Sequence, residues 1–148
     1  MNYVTIRSKP FGTYLSADGS GVTEFAGPGA GTVRILDNSV PPEQALFQLE
    51  NHLDGTCAIR SVPFRDVYLR VDAPDFNAFA GDGSGTVNLQ YKSAGCEQFR
   101  IEDQPDGSVA IASVRFPGVY LRMDGGKKVV NCQVTVGDWE KFIITKAL

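Results

Sequence analysis

A five-residue pattern occurs three times in this chain. Tyr14-Leu15-Ser16-Ala17-Asp18, Tyr68-Leu69-Arg70-Val71-Asp72 and Tyr120-Leu121-Arg122-Met123-Asp124 each read tyrosine, leucine, a variable residue, an apolar residue and aspartate, with the tyrosines 54 and 52 residues apart. A period near the upper end of about 20–50 residues marks a chain that builds one supersecondary unit several times over. Three copies fill the 148 residues, so the fold must have approximate threefold symmetry.

The repetition runs well beyond the tyrosines. Each unit opens on an alternating run: Val4-Thr5-Ile6-Arg7-Ser8, Cys57-Ala58-Ile59-Arg60-Ser61 and Val109-Ala110-Ile111-Ala112-Ser113. The tyrosine run follows after a turn. A third run reads Val33-Arg34-Ile35-Leu36, Val87-Asn88-Leu89-Gln90 and Val130-Asn131-Cys132-Gln133. The fourth reads Leu46-Phe47-Gln48-Leu49, Gln98-Phe99-Arg100-Ile101 and Lys141-Phe142-Ile143-Ile144. Period-two alternation broken by Gly, Pro, Asn and Asp predicts short half-buried strands, four to a unit and twelve in all. No stretch carries a 3.6-residue apolar period, and only Pro42 to Gln48 suggests a brief helical turn. The expected class is all-β, a single domain over residues 1–148 with repeats of about 1–50, 51–103 and 104–148. Units one and two carry a glycine-rich loop, Phe25 to Gly31 and Phe79 to Gly85. Fourteen residues separate Asp18 from Val33 and Asp72 from Val87, but only five separate Asp124 from Val130.

Composition narrows the function. A net charge of −3 and a pI near 5.1 argue against nucleic acid and other polyanions, whose binders usually carry a basic patch. No apolar run approaches the roughly 20 residues of a membrane span, and the first residues lack a secretory pattern. A soluble cytoplasmic protein without membrane insertion is expected. The three cysteines, Cys57, Cys96 and Cys132, are an odd number at unmatched positions, which argues against a disulfide framework. Cys57 and Cys132 read as small core residues. His52 is the only histidine, which removes histidine-based triads and zinc sites. The glycine loops lack the ending of a phosphate cradle. Asp72, Asp75 and Asn77 lack the remaining features of a calcium loop. No catalysis, metal or cofactor is expected.

Alternation also assigns faces. Leu69 and Val71, like Leu121 and Met123, take the core side. Tyr68, Arg70 and Asp72 then share the opposite face, as do Tyr120, Arg122 and Asp124. Asn88 and Gln90 turn outward beside the first set, Asn131 and Gln133 beside the second. Outward side chains of paired strands meet on one surface. Units two and three are therefore each expected to present Tyr, Arg, Asp, Asn and Gln in one shallow patch. Asp18 is the counterpart in unit one, but Ser16 replaces the arginine there, and Arg34 and Leu36 replace the asparagine and glutamine. That copy is expected to be altered or lost.

Such a patch suits a neutral sugar. Asp accepts from adjacent hydroxyls, Asn and Gln donate and accept, Arg donates, and an aromatic face stacks on the C–H side of a pyranose. One site would bind weakly, on the order of millimolar, and repetition raises avidity on a clustered glycan by roughly 10²–10⁴. A plainer reading stands beside it. Repeated aspartates hold backbone N–H groups of the following turn, tyrosines pack, and the amides are solvated.

Three four-stranded units of this length resemble the β-trefoil, in which six strands close a short barrel and six form hairpins that cap it. Glu97-Gln98-Phe99 and Glu140-Lys141-Phe142 sit where ricin-type lectin repeats carry Gln-x-Trp. Together with Val87-Asn88 and Val130-Asn131 they also resemble the endings of fascin repeats. The chain departs from the ricin-type pattern in two places. The sugar-binding aspartate of that family falls nearest Arg70 or Arg122, with Asp72 and Asp124 two residues on, and its stacking aromatic falls at Gln90 and Gln133. The chain resembles more closely the small unsecreted β-trefoil lectins of mushrooms, which lack a clean Gln-x-Trp and often bind galactose or N-acetylgalactosamine. That resemblance implies a non-catalytic, multivalent agglutinin whose partners are glycans and glycoproteins, with homodimerisation left open. The stacking group would be Tyr68, Tyr120, Phe25, Phe76, Phe79 or Trp139. The stretch from Ser113 to Arg122 also resembles arabinan-binding trefoil repeats. Two other classes fit a trefoil: a fascin-like actin-associated module, and a protease inhibitor inserting one of the long loops.

Overall fold

The computed structural model describes residues 3–37 and 39–147. Met1, Asn2, Asn38 and Leu148, which include the outer ends of the first and third repeats, lie outside the described residues. Twelve strands follow one another: β1 (Tyr3–Ser8), β2 (Tyr14–Asp18), β3 (Thr32–Leu36), β4 (Phe47–Asn51), β5 (Cys57–Ser61), β6 (Val67–Asp72), β7 (Thr86–Tyr91), β8 (Phe99–Asp103), β9 (Val109–Ser113), β10 (Tyr120–Asp124), β11 (Val129–Gln133) and β12 (Phe142–Ala147). One 3₁₀ turn precedes the last strand of each repeat, at Glu43–Ala45, Gly95–Glu97 and Asp138–Glu140.

Six strands pair into a closed antiparallel ring: β1 with β4, β4 with β5, β5 with β8, β8 with β9, β9 with β12, and β12 back to β1. The other six form the hairpins β2–β3, β6–β7 and β10–β11. Each hairpin meets the ring through one register pair, Arg7 with Tyr14, Arg60 with Tyr68 and Ala112 with Tyr120. A six-stranded barrel carrying three such hairpins is a β-trefoil, and its closure leaves the barrel strands without a free edge.

The core is built in threefold layers because equivalent apolar positions converge on the axis. Ile6, Ile59 and Ile111 are buried together with Leu15, Leu69 and Leu121, and with the closing Phe47, Phe99 and Phe142. Ala17, Val71 and Met123 are buried as alternation requires. Cys57 and Cys132 are buried free thiols. Burial pushes the Cys132 thiol up to about 12, so it stays protonated and behaves as a small apolar residue. The turn between the first two strands of each repeat is fastened by a serine. The Oγ of Ser8, Ser61 and Ser113 accepts from the N–H of Phe11, Phe64 and Phe116 at 3.3, 3.3 and 3.0 Å. This fixes where each tyrosine strand begins and hence where the hairpin face points.

Candidate functional site

The face opposite the core is not open surface. The loop between β2 and β3 crosses to the next hairpin, where Ala30 and Leu89 exchange two backbone hydrogen bonds of 2.8 Å. The loop between β6 and β7 makes the same bridge one repeat on, Ser84 with Cys132, at 2.9 and 2.8 Å. Polar side chains beneath each loop bind its backbone. Arg70 Nη1 and Asn88 Nδ2 donate to Pro28 O at 2.9 and 3.0 Å. Arg122 Nη1 and Asn131 Nδ2 both donate to Asp82 O at 2.9 Å. Gln90 accepts from Ala26 N–H at 3.1 Å and donates to Ala26 O. Gln133 accepts from Ala80 N–H at 3.2 Å and donates to Ala80 O at 2.5 Å. Gly29 and Gly83 permit this approach. Their φ values are +74° and +72°, and a Cβ would fall 2.7 and 2.6 Å from Oδ1 of Asn88 and Asn131.

Arg70, Gln90, Arg122 and Gln133 are consequently buried, Arg70 being only 5% exposed and Arg122 2%. This corrects the expected shallow patch. Alternation locates the core side of a strand, but the far side is roofed by a loop from the preceding repeat. The tyrosines also take other places. Tyr68 is buried, and its hydroxyl donates to Glu50 Oε1 at 2.8 Å. Burial, reinforced by that bond, pushes it up to about 12. Tyr120 lines a separate cleft of about 300 Å³ with Arg100 and Glu102. Asp18 Oδ1 accepts from Ser20 N–H at 3.1 Å, and Asp124 Oδ1 from the N–H groups of Gly126 and Lys127 at 3.0 Å each. Both therefore staple the turn that follows. Asp72 pairs instead with Arg70 Nη2 at 2.9 Å. The structure thus gathers Arg70, Asp72, Asn88 and Gln90 under one loop, and Arg122, Asp124, Asn131 and Gln133 under the other. Tyr68, Tyr120 and Asp18 stand apart.

Behind each arginine is a glutamate from the 3₁₀ turn. Arg70 Nε lies 4.0 Å from Glu97 Oε2, and Arg122 Nε 3.8 Å from Glu140 Oε2. Glu97 Oε1 accepts from Ala94 N–H at 2.8 Å and Glu140 Oε1 from Gly137 N–H at 2.7 Å. Burial pushes both carboxyls above the usual glutamate range, opposed by these hydrogen bonds and by the arginines. In repeat one the pair is lost whole: Ser16 and Ala45 occupy the equivalent buried positions. Removing the arginine alone would strand the buried glutamate, whereas losing the two together does not. Sequence reasoning used Glu97 and Glu140 only as markers of the fold. Their joint replacement with the arginine in copy one is the signal that ties them to this site.

A cavity opens where loop, hairpin and 3₁₀ turn meet. Between repeats two and three it encloses about 350 Å³, lined by Arg122, Gln133 and Glu140 below and by Phe79 and Trp139 at the sides. Its counterpart between repeats one and two encloses about 180 Å³, lined by Arg70, Gln90, Glu97 and Phe25. Phe25 and Phe79 are 65% and 67% exposed. Trp139 is more committed: the Arg122 guanidinium lies 4.7 Å from its ring centre and the Phe11 ring 5.8 Å away. Phe76 packs against the core. The most exposed aromatic rings lining the cavities are thus Phe25 and Phe79, and Trp139, 38% exposed, lines the larger one beside Phe79. Repeat three, with its short connection, extends no such loop over repeat one.

No protein-family model matches the chain, and no curated protein sequence does. Solved structures match its fold. The designed threefold-symmetric protein ThreeFoil is 17% identical with a TM-score of 0.74 over 96% of both chains. SeviL, bound to the asialo-GM1 saccharide, is 12% identical with a TM-score of 0.71 over 100% of this chain and 99% of its own. A Polyporus squamosus lectin bound to Neu5Acα2-6Galβ1-4GlcNAc is 19% identical with a TM-score of 0.69, over 97% of this chain and 48% of its own. At such identities the likeness shows the fold, and the protein stands among the β-trefoils.

Proposed function

We propose that this protein is a non-catalytic lectin that binds galactose- or N-acetylgalactosamine-type glycans at its two loop–hairpin cavities. The observation that carries this reading is an exposed phenylalanine set over a fixed polar floor, and set there twice. The face of Phe79 or Phe25 suits the C–H side of a pyranose, a contact worth roughly 0.5–1.5 kcal/mol beyond burial alone. The carboxylate of Glu140 or Glu97 and the amide of Gln133 or Gln90 line the floor. These groups accept from and donate to sugar hydroxyls. Loop backbone already holds the floor, so binding orders little that was mobile. Trefoils crystallised with saccharides, SeviL and the Polyporus lectin, support the general reading. The preference for galactose-type sugars rests on the resemblance to mushroom lectins. Two cavities on one chain give the bivalence an agglutinin needs. Both long loops lie against neighbouring hairpins, which speaks against an inhibitor that works by projecting one of them.

A glycan array and red-cell agglutination test the proposal. The expected result is enrichment of glycans containing galactose or N-acetylgalactosamine, with agglutination reversed by the free sugars. Phe25→Ala and Phe79→Ala should each abolish agglutination, since one remaining site cannot bridge cells, while thermal unfolding shifts by only a few degrees. An array without any enriched ligand class overturns the reading.

A further inference from the structure

The two cavities share a plan and differ in charge. The 3₁₀ turn beside the cavity of repeats two and three begins with Asp138, whereas the turn beside the other begins with Gly95. Arg115, from the turn after β9, joins the wall of that second cavity. The lining of the first therefore sets Arg122 beside two carboxylates, Glu140 and Asp138. In the second, Arg70 and Arg115 line the wall with one, Glu97. Among the lining side chains the first cavity has an acidic excess of one and the second a basic excess of one.

Arg115 is also placed to act on a ligand. It is exposed, and among the described residues no carboxylate forms an ion pair with it. Its guanidinium carbon lies 5.2 Å from the ring centre of Phe116. Its Cδ would lie 3.6 Å from a Cβ built on Gly95. The side chain is thus braced along the lip with its charge uncommitted, and a guanidinium in that state takes a carboxylate through paired, charge-assisted hydrogen bonds.

Building on the glycan-binding reading above, we infer that the cavities are not duplicates: the one bordered by Arg115 takes a carboxylate-bearing saccharide, and the one bordered by Asp138 takes a neutral one and repels acids. A sialic acid and a uronic acid both supply the carboxylate. The chain would then bridge two glycan types rather than two copies of one.

Calorimetric titration with lactose, sialyllactose and a glucuronic-acid disaccharide decides this. Phe79→Ala protein, with only the Arg115 cavity intact, should bind one of the acids more tightly than lactose, and less tightly as salt is added. Phe25→Ala protein should prefer lactose. Arg115→Gln should cut the acid-to-lactose affinity ratio about ten-fold, the effect of losing one charged hydrogen bond of about 1.4 kcal/mol. The acid with the larger ratio identifies the source of the carboxylate. If lactose binds and the ratio is the same in Phe25→Ala and Phe79→Ala protein, or is unmoved by Arg115→Gln, the inference is wrong and the glycan-binding reading survives. If the unaltered protein binds none of the three and the array is blank, both fall together.

Discussion

Gln133 and Ala80, 53 residues apart in the chain, are joined by two hydrogen bonds running in opposite directions: the side-chain oxygen accepts from Ala80 N–H at 3.2 Å, and the side-chain nitrogen donates to Ala80 O at 2.5 Å. One amide thereby imitates a strand neighbour and clamps the glycine-rich loop over the third hairpin. Gln133→Leu, which copies the residue at Leu36 in repeat one, removes both partners of Ala80. Unfolding in urea should show a loss of about 1–3 kcal/mol. Amide exchange at Ala80 should accelerate, while the barrel strands keep their protection. Unchanged exchange at Ala80 would mean that the Ser84–Cys132 bridge alone holds the loop.

The pairing of Arg122 with Glu140 predicts strong non-additivity. Arg122→Ser alone leaves the buried carboxylates of Glu140 and Asp124 without their cation and should cost about 3–5 kcal/mol, and Glu140→Ala should cost less, because Arg122 keeps Asp124. The double variant reproduces Ser16 and Ala45 of repeat one and should cost clearly less than the sum. A double-mutant cycle measures the difference, expected at about 0.5–3 kcal/mol.

Two nearby glycines should respond to very different degrees. A Cβ at Gly83 would sit 2.6 Å from Asn131 Oδ1 and 2.7 Å from Cys132 O, on a backbone with φ of +72°, whereas a Cβ at Gly81 would meet nothing within 4 Å. Gly83→Ala should therefore destabilise by more than about 1 kcal/mol, and Gly81→Ala by less than about 0.5 kcal/mol. Thermal unfolding of the two proteins side by side makes the comparison.

Asp106 links the first and third repeats and sets an acid limit. Its carboxylate pairs with Lys9 Nζ at 2.5 Å and Lys141 Nζ at 3.2 Å, and accepts from Ser108 N–H at 3.0 Å. The Lys9 and Ser108 hydrogen bonds hold it well below the usual aspartate value of 3.8. A depressed carboxyl adds stability above its unfolded value, and that stability disappears as pH falls toward the folded one. The melting temperature of Asp106→Asn protein should therefore fall less steeply than that of the unaltered chain between about pH 4 and pH 2. Parallel curves would remove Asp106 from the account of acid unfolding.

The sequence carried the frame of the molecule in unusual detail and the site only in part. β2, β5, β9 and β10 begin and end where their alternating runs do, because each apolar position points at the axis and each run stops at a turn residue. The 3₁₀ turns at Gly95–Glu97 and Asp138–Glu140 were not foreseen, since three residues are too few to show a period. The residues of the two polar clusters were legible as repeats. Their burial was not, because the groups that cover Arg70 and Gln90 are Pro28 and Ala26, more than forty residues away. Alternation describes a strand and its own two faces. It carries no knowledge of a loop arriving from another repeat. The divergence of copy one was legible as a difference of residues, and the structure shows what accompanies it. Repeat three extends no loop for Ser16, Arg34 and Leu36 to hold.

The covering of one repeat by another has a direction. Repeat one lends a loop to repeat two, and repeat two lends one to repeat three, where the succession stops. The middle member both gives and receives, so a change there is felt on two sides, while the first only gives and the last only receives. What closes the barrel as a circle thus leaves its cap as a queue, with a free front. That front is where the repeats differ: Ser16, Arg34, Leu36 and Ala45 stand at the places of the clasp. Placing arginine, asparagine, glutamine and glutamate at those four positions in repeat one and grafting a glycine-rich loop into repeat three would turn the queue into a circle.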